Sequence, residues 1–400
     1  MVKRSLQSTD DGGTTGLVVS GTALIAVTYG VVRYGFGLQL PRLSEEFGLT
    51  SGQAGAIAAG SFAAYCVAAL AAQRLIGLRG ARPVLWAAAV LASAGAATVA
   101  IAASTTLLAV GVLVAGSAAG AASPAMVVAV AASVRRPLAG RAQAVVNAGT
   151  GFGVAVTGVA VLAAPEVWRP VWAAAAVGVL LTALVVDRRA SWPAPVPPAR
   201  DAVAGGSLRR ACVAATVAGL GSAAVWTFGR DLVTTTGGLP GRTTAALWVL
   251  LGTAAVLGAL SGDTVRVLGL RHAWTLTAAL SALGTALLAL APGQVALVAL
   301  AAALFGGAYT ALSGVLIAWG AAVRPGTAGQ ATATLFVALT GGQALGAVAT
   351  GLLTDLVGAP LAFWACAGVL LAAAAVRPAQ ASPSRSRIQA SVKARRAQTW

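Results

Sequence analysis

DRRASWPAPVPPARDAVAGGSLRR, from Asp187 to Arg210, is the one long polar break in a chain of 400 residues. Trp192-Pro-Ala-Pro-Val-Pro-Pro removes backbone donors and fixes φ, and Gly205-Gly206 adds a flexible joint before Ser207, so the stretch reads as an extended linker. On each side the sequence divides into six apolar runs, each near the ~20 residues that carry a helix across the hydrocarbon core. They lie at 17–40, 52–73, 83–103, 105–133, 142–163 and 169–186, then at 210–232, 243–262, 272–290, 294–322, 328–354 and 360–376. The runs are continuously apolar, not alternating, which predicts helices and not strands. The predicted fold is all-α and integral to the membrane. Two pseudo-symmetric six-helix bundles, 17–186 and 210–376, are joined by a linker at 187–209. A polar tail at 1–16 and a basic tail at 377–400 flank them, and the Ser-, Arg- and Pro-rich second tail predicts disorder.

Composition supports the same reading. Hydrophobic residues make up 58% and charged residues 9%, where a soluble domain has about 25% charged. Lys and Arg number 27 against 10 Asp and Glu, a net charge of +17. In a soluble protein that excess would suggest nucleic acid; here the charges sit in short breaks between apolar runs, and no nucleic-acid partner is expected. With both termini in the cytoplasm, Arg42, Arg169, Arg230 and Arg242 fall in outer loops and Arg33 inside the first run, which leaves 22 of the 27 on the inside. The positive-inside rule selects that orientation. It predicts a multi-pass protein of the plasma (inner) membrane with anionic lipid at its cytoplasmic face. Trp86, Trp168, Trp274 and Trp364 fall near predicted run ends, as interfacial tryptophans do.

Scarce residue types exclude several mechanisms. The only lysines are Lys3 and Lys393, so no phosphate-cradling G-x-x-x-x-G-K-[ST] loop exists for ATP drive. A single histidine, His272, cannot build a zinc site or a relay with a second imidazole. Cys66, Cys212 and Cys366 lie far apart in apolar runs and read as small hydrophobes. No nucleophile, metal set or paired acids lie at depth, so neither an enzyme nor a cofactor is expected. A non-transporting sensor would call for a signalling domain or a long partner-binding loop, and the sequence has neither. The charged start, Met1 to Gly16, is followed by a long apolar run without an A-x-A site, so a cleaved signal peptide is not expected.

The two halves echo one another. Gly80-Ala-Arg82 recurs as Gly269-Leu-Arg271, and Val134-Arg135 with Ala139-Gly140 recurs as Val323-Arg324 with Ala328-Gly329, both 189 residues on. Phe36-Gly37 recurs as Phe228-Gly229, and Trp172 as Trp364, 192 residues on. Two parallel repeats place a solute site between them near the bilayer midplane.

Six plus six helices, the linker and basic loops 2–3 and 8–9 resemble the major facilitator superfamily over essentially the whole chain. Its loop 2–3 pattern, G-x-x-x-D-R-x-G-R-R, is met here by Gly80 and Arg82, while Gln73, Gly77, Leu78 and Ala81 depart from it. The second copy keeps Gly262, Gly269 and Arg271, with Arg266 at the acid's place and Asp263 displaced. Gly80, Arg82, Asp263, Gly269 and Arg271 are therefore the gate-loop candidates. Gly149-Thr-Gly151-Phe-Gly153 is similar to the glycine-rich fifth helix of the family's exporters, without their Gly-Pro step. Close helix packing by small residues is the simpler reading of it. The resemblance implies a secondary transporter working by alternating access, a small-molecule substrate, a monomer and proton coupling.

Arg33 is the charge that topology leaves over. Eight residues before Pro41, it lies about 12 Å below the outer exit of the first run. An arginine at a helix centre costs roughly 2.5–3.5 kcal/mol on insertion scales, so it is expected to bind substrate, to snorkel outward or to hold a structural partner. A fixed cation in a cavity favours an anionic or strongly polar group. No Asp or Glu lies deep in a run; Asp231, beside Arg230, is the nearest coupling candidate, with an outer-rim charge pair as the simpler reading. The other cavity candidates are Tyr34 next to Arg33, then Tyr29, Tyr65 and Asn147, and in the second half Trp226, Tyr309 and Gln343. Together they describe a mostly apolar, aromatic-walled cavity. That suits export of an amphiphilic compound slightly better than uptake or facilitated movement of a small organic anion.

Overall fold

A computed structural model describes residues 2–164, 167–195 and 206–379, with side chains left undescribed for residues 2–12 and Pro137. Among the described residues every regular element is a helix. In the first half these are α1 (Gly13–Phe47), α2 (Ser51–Arg79), α3 (Ala81–Ala100), α4 (Thr105–Ser133), α5 (Arg136–Ala163) and α6 (Trp168–Arg189). The second half holds α7 (Arg209–Thr236), a 50-residue run Gly241–Leu290, α10 (Val295–Val323), α11 (Ala328–Val357) and α12 (Ala359–Ala375). At 1.5 Å per residue the long run measures about 75 Å, more than twice the hydrocarbon thickness. It is broken at Gly269, with φ 76° and ψ 155°, into α8 (241–268) and α9 (270–290), so twelve crossings are counted among the described residues.

Gly80 breaks α2 from α3 in the same way, at φ 84° and ψ 175°. A side chain disfavours that backbone region and glycine does not. The two glycines matched by the 189-residue offset thus make the same turn, which supports the repeat on backbone grounds. The tryptophan match fares differently: Trp172 is buried and bonded to Gln39, whereas Trp364 is exposed.

The element bounds correct several expectations. Helix continues upstream of residue 17, through residues assigned to the N-terminal tail, and α6 runs through Asp187 to Arg189, which shortens the linker. The disorder expected for the C-terminal tail concerns residues outside those described, apart from 377–379. Pro41 does not end the first crossing, because helix persists to Phe47. Arg33 therefore lies fourteen residues, about 21 Å, from the end of α1, deeper than the sequence suggested. Trp168 and Trp274 are buried and hydrogen-bonded to Glu46 and to the Ala373 carbonyl, so they act as internal ties and not as interfacial anchors.

Lipid supplies no hydrophobic force between helices, so tight packing of small residues must hold them together. The halves meet along three seams, α1 with α7, α2 with α11 and α5 with α8. The glycine-rich stretch of α5 shows how. Gly149 and Gly153 face the carbonyls of Thr22 and Ala26 on α1, while Gly151 faces that of Gly252 on α8. Glycines at i, i+2 and i+4 thus let one helix touch two neighbours backbone to backbone. The packing reading of this stretch is the one its surroundings support.

A methyl on Gly153 would collide with the backbone of α1, whereas one on Gly178 meets nothing within 4 Å. Gly153→Ala is expected to destabilise by about 1–3 kcal/mol, as overpacking does. Gly178→Ala should be neutral or stabilising by up to about 1 kcal/mol. Thermal unfolding of the two purified variants beside the parent checks the pair.

Candidate functional site

The centre of the molecule is organised by a distortion of α1. From Ala26 to Arg33 the helix is π-wound, and the Tyr34 amide donates to the Tyr29 carbonyl five residues back at 3.1 Å. Such widened turns are rare and gather at functional positions. Here it brings Tyr29, Arg33 and Tyr34 onto one side, facing α2, α7 and α11.

Arg33 is buried, with 6% of its surface exposed. Its Nη2 donates to Thr340 Oγ1 at 3.1 Å and to Gln343 Oε1 at 2.9 Å, both on α11 of the opposite half. Gln343 Nε2 in turn donates to the Tyr309 hydroxyl at 3.1 Å. Four rings surround the guanidinium carbon, Tyr65 at 4.1 Å, Phe62 at 5.2 Å, and Tyr29 and Tyr34 at 5.5 Å. The hydroxyls of Tyr29 and Tyr65 lie 3.3 Å apart. Cation–π contact is worth ~0.5–2 kcal/mol or more when desolvated, which offsets part of the cost of burying this charge. None of the four ion pairs among the described residues involves Arg33.

A second aromatic group adjoins the first. Tyr34 stacks on Trp226 at 4.2 Å between centroids, across the α1–α7 seam, and Trp226 meets Phe305 at 5.6 Å and Tyr309 at 5.7 Å. Between the two groups lies a cavity of about 10 Å³, room for about one water, bordered by Arg33, Ser61, Phe62, Trp226 and Thr227. Arg33 Nε and Nη1, Trp226 Nε1 and the Thr227 hydroxyl are buried without a protein partner. Three of those four atoms can only donate. The residues bordering the cavity thus carry three unpartnered N–H donors beside a few hydroxyls, a surplus of donors that an anionic oxygen would satisfy.

Two further polar contacts join the halves near the face opposite the termini. Arg230 Nη1 donates to the Leu38 carbonyl at 2.6 Å, and the Gly52 amide to Asp355 Oδ2 at 2.8 Å.

A family model described as "Uncharacterised MFS-type transporter YbfB" matches residues 25–377. The chain belongs to that major facilitator family. It is accordingly a multi-pass membrane transporter and not an enzyme. None of the curated proteins matches this chain in sequence. Solved structures share the fold. A point mutant of the nucleoside transporter NupG superposes with TM-score 0.72 at 11% identity, over 90% of this chain and 98% of its own. A bacterial homologue of the human lysosomal transporter Spinster, inward-facing and unoccupied, gives 0.69 at 15% identity, over 92% and 99%. The human organic anion transporter MFSD10 gives 0.67 at 16% identity, over 92% and 99%.

Within this major facilitator, Arg33, Tyr29, Tyr34, Tyr65, Trp226, Tyr309 and Gln343 form one connected cluster. Asn147 is bonded instead to Gln143 on its own helix. Asp231 is half-buried, and the rim pair expected with Arg230 does not form: Arg230 turns to the carbonyls of Leu38 and Gly241 and to Thr244. Of the gate-loop candidates, Gly80 and Gly269 make the turns. Arg82 grips Asp187, Asp263 pairs with Arg266, and Arg271 has no acid partner among the described residues. Thr340, Phe62 and Phe305 escaped the sequence reading. Each lies one helical turn before a residue that was named, Gln343, Tyr65 and Tyr309, so i+3 and i+4 spacing carried the signal.

Gln343→Leu strands Nη2 with one acceptor and frees the Tyr309 hydroxyl, at a cost of about 1–3 kcal/mol. Adding Arg33→Leu removes the stranded charge as well, so the double variant should be at least as stable as Gln343→Leu alone. A double-mutant cycle by thermal unfolding checks this; strict additivity would refute the link.

Proposed function

We propose that this chain carries a small organic anion with an aromatic or apolar body across the membrane, by alternating access around Arg33. The observation behind the reading is the surplus of unpartnered donors around the cavity between two aromatic groups. A carboxylate entering it would meet Arg33 Nε and Nη1, Trp226 Nε1 and Thr227 together, while Tyr34, Phe62 and Trp226 enclose the rest of the solute. Charge-assisted bonds of this kind are worth about 1.5–3 kcal/mol each. In this reading the amphiphilic compound and the organic anion become one class of solute.

Arg33 also bonds α11 through Thr340 and Gln343, so its protein contacts and its substrate contacts belong to one guanidinium. A bound anion neutralises the cation and makes rearrangement against α11 less costly, which couples occupancy to rocking of the halves. No carboxylate joins the cluster among the described residues, which supports facilitated movement or exchange down the solute's own gradient. By the positive-inside rule the termini face the cytoplasm of the plasma membrane, and the latched face is the outer one.

The test is a thermal-shift screen of purified protein against aromatic and aliphatic carboxylates beside their neutral amides, since a ligand of the folded state stabilises it. Carboxylates should raise Tm and the amides should not, with the shift lost in Arg33→Ala and reduced in Arg33→Lys. Equal shifts for acid and amide, or hits retained in well-folded Arg33→Ala, would overturn the reading.

Asp231 gives an independent check on coupling. If the solute moves down its own gradient, Asp231→Asn leaves both net uptake and counterflow in vesicles within about twofold, a barrier change below ~0.5 kcal/mol. Loss of pH-driven uptake with counterflow intact would show proton coupling through Asp231.

A further inference from the structure

In the first half α3 packs against α6, and in the second α9 packs against α12. The corner between the Gly80 break and the end of α6 thus has a counterpart between the Gly269 break and the end of α12. The first corner holds an anion. The Asp187 carboxylate, its side chain 7% exposed, accepts from Arg82 Nε at 2.8 Å and from Nη2 at 2.9 Å. Moving each residue by the 189-residue offset takes Arg82 to Arg271, Arg188 to Arg377 and Asp187 to Val376. The second corner keeps the cations and has lost the acid.

In its place is a hollow of about 260 Å³, lined by Arg210, Arg271, Arg377, Ala375, Pro378 and Ala379. Its walls are tied. Trp274 Nε1 donates to the Ala373 carbonyl at 3.0 Å and Thr275 Oγ1 to that of Ala374 at 3.3 Å, which fastens the last turn of α12 to α9. Arg271 stands in the first turn after the Gly269 break, where unpaired helix amides add positive potential. Asp263, the acid of this half near the same face among the described residues, is held by Arg266 at 2.8 Å. No Asp or Glu follows Asp355, so the C-terminal tail brings no acidic side chain.

Three arginines border one hollow, Arg210 and Arg377 exposed and Arg271 partly buried, and a bound anion would ease their like charge beyond what water and salt do. A carboxylate matches one guanidinium fork; three bordering one hollow match a tetrahedral phosphate, with more acceptors and more charge. α7, α12 and the end of α8 beside the Gly269 break expose Val213, Leu371 and Leu268 within a turn or so of the hollow. Exposed aliphatic residues beside arginines mark the boundary where hydrocarbon gives way to headgroups. We infer that Arg210, Arg271 and Arg377 bind a phosphate group, offered by an anionic phospholipid at the membrane boundary or by free phosphate, which holds the second corner together as Asp187 holds the first.

The experiment uses the full chain in detergent micelles. Phosphatidylglycerol, phosphatidylcholine or sodium phosphate is added at constant ionic strength, with bound lipid read by native mass spectrometry and Tm by thermal unfolding. One phosphatidylglycerol should be retained per chain in preference to phosphatidylcholine. The double variant Arg271→Gln/Arg377→Gln should lose about tenfold in retention, equivalent to one charge-assisted contact. Arg74→Gln, an exposed arginine of the same face, should stay within about twofold, well under one such contact. Val376→Asp, which restores an acid without removing an arginine, should also lose the lipid while keeping the fold. A Tm shift with sodium phosphate alone assigns the site to free phosphate, and a shift confined to phosphatidylglycerol assigns it to the headgroup. The inference is overturned if neither ligand acts on the parent, if Arg74→Gln loses as much as the double variant, or if Asp201→Asn raises retention and so shows a linker carboxylate filling the hollow.

Discussion

A guanidinium buried at the junction of the two halves, without a carboxylate to pair with, sets the terms for much of the structure around it. Burying an uncompensated charge costs several kcal/mol, and the surroundings of Arg33 read as the means of bearing that cost. The π-wound turn brings three residues of α1 to one side, four rings share the cation's field, and Thr340 and Gln343 supply acceptors from the opposite half. Relief is incomplete, since Nε and Nη1 still lack protein partners. That remainder of unmet hydrogen bonding is what the proposed solute would satisfy. It also makes the centre conditional, because the acceptors that Arg33 does have belong to a helix of the opposite half, which the proposed alternating access would move past it.

The scaffold around this centre permits such movement. Seams of glycine and alanine against backbone bring helices close without interlocked side chains, and small residues slide with little rotamer rearrangement. The bulky aromatics stand at the middle, where Tyr34 and Trp226 stack across the α1–α7 seam. Under the proposed alternating access, smooth seams and a cohesive centre would divide the labour: the first would allow rocking, and the second would decide when it occurs.

Much of this was legible in the sequence because lipid is an unforgiving solvent. Twelve apolar runs follow from hydration alone, and Arg33 stands out as the charge inside the first of them. The boundaries were only partly legible. Pro41 reads as an exit, yet the helix absorbs it and continues to Phe47, whereas the α8–α9 junction, helical across 50 residues, is legible as the gap between runs 243–262 and 272–290 that holds Gly269. The partners of Arg230 could not be read either. An adjacent Asp231 suggested a pair, but neighbours along a helix point apart, and the arginine reaches instead for carbonyls. Thr340 and Phe62 were missed because small hydroxyls and single phenylalanines are common in membrane helices, and only their spacing to Gln343 and Tyr65 sets them apart.

The contact from Arg230 to the Leu38 carbonyl has a consequence for how this protein can change over time. It joins the halves through a main-chain atom that every amino acid at position 38 supplies. Substitution at Leu38 is therefore free to follow packing alone, while position 230 answers to the contact. Residues that meet side chain to side chain leave correlated substitutions behind them; a side chain holding a carbonyl leaves none. One of the ties between the two bundles is in this sense silent, present in the geometry and without a trace in any comparison of paired positions.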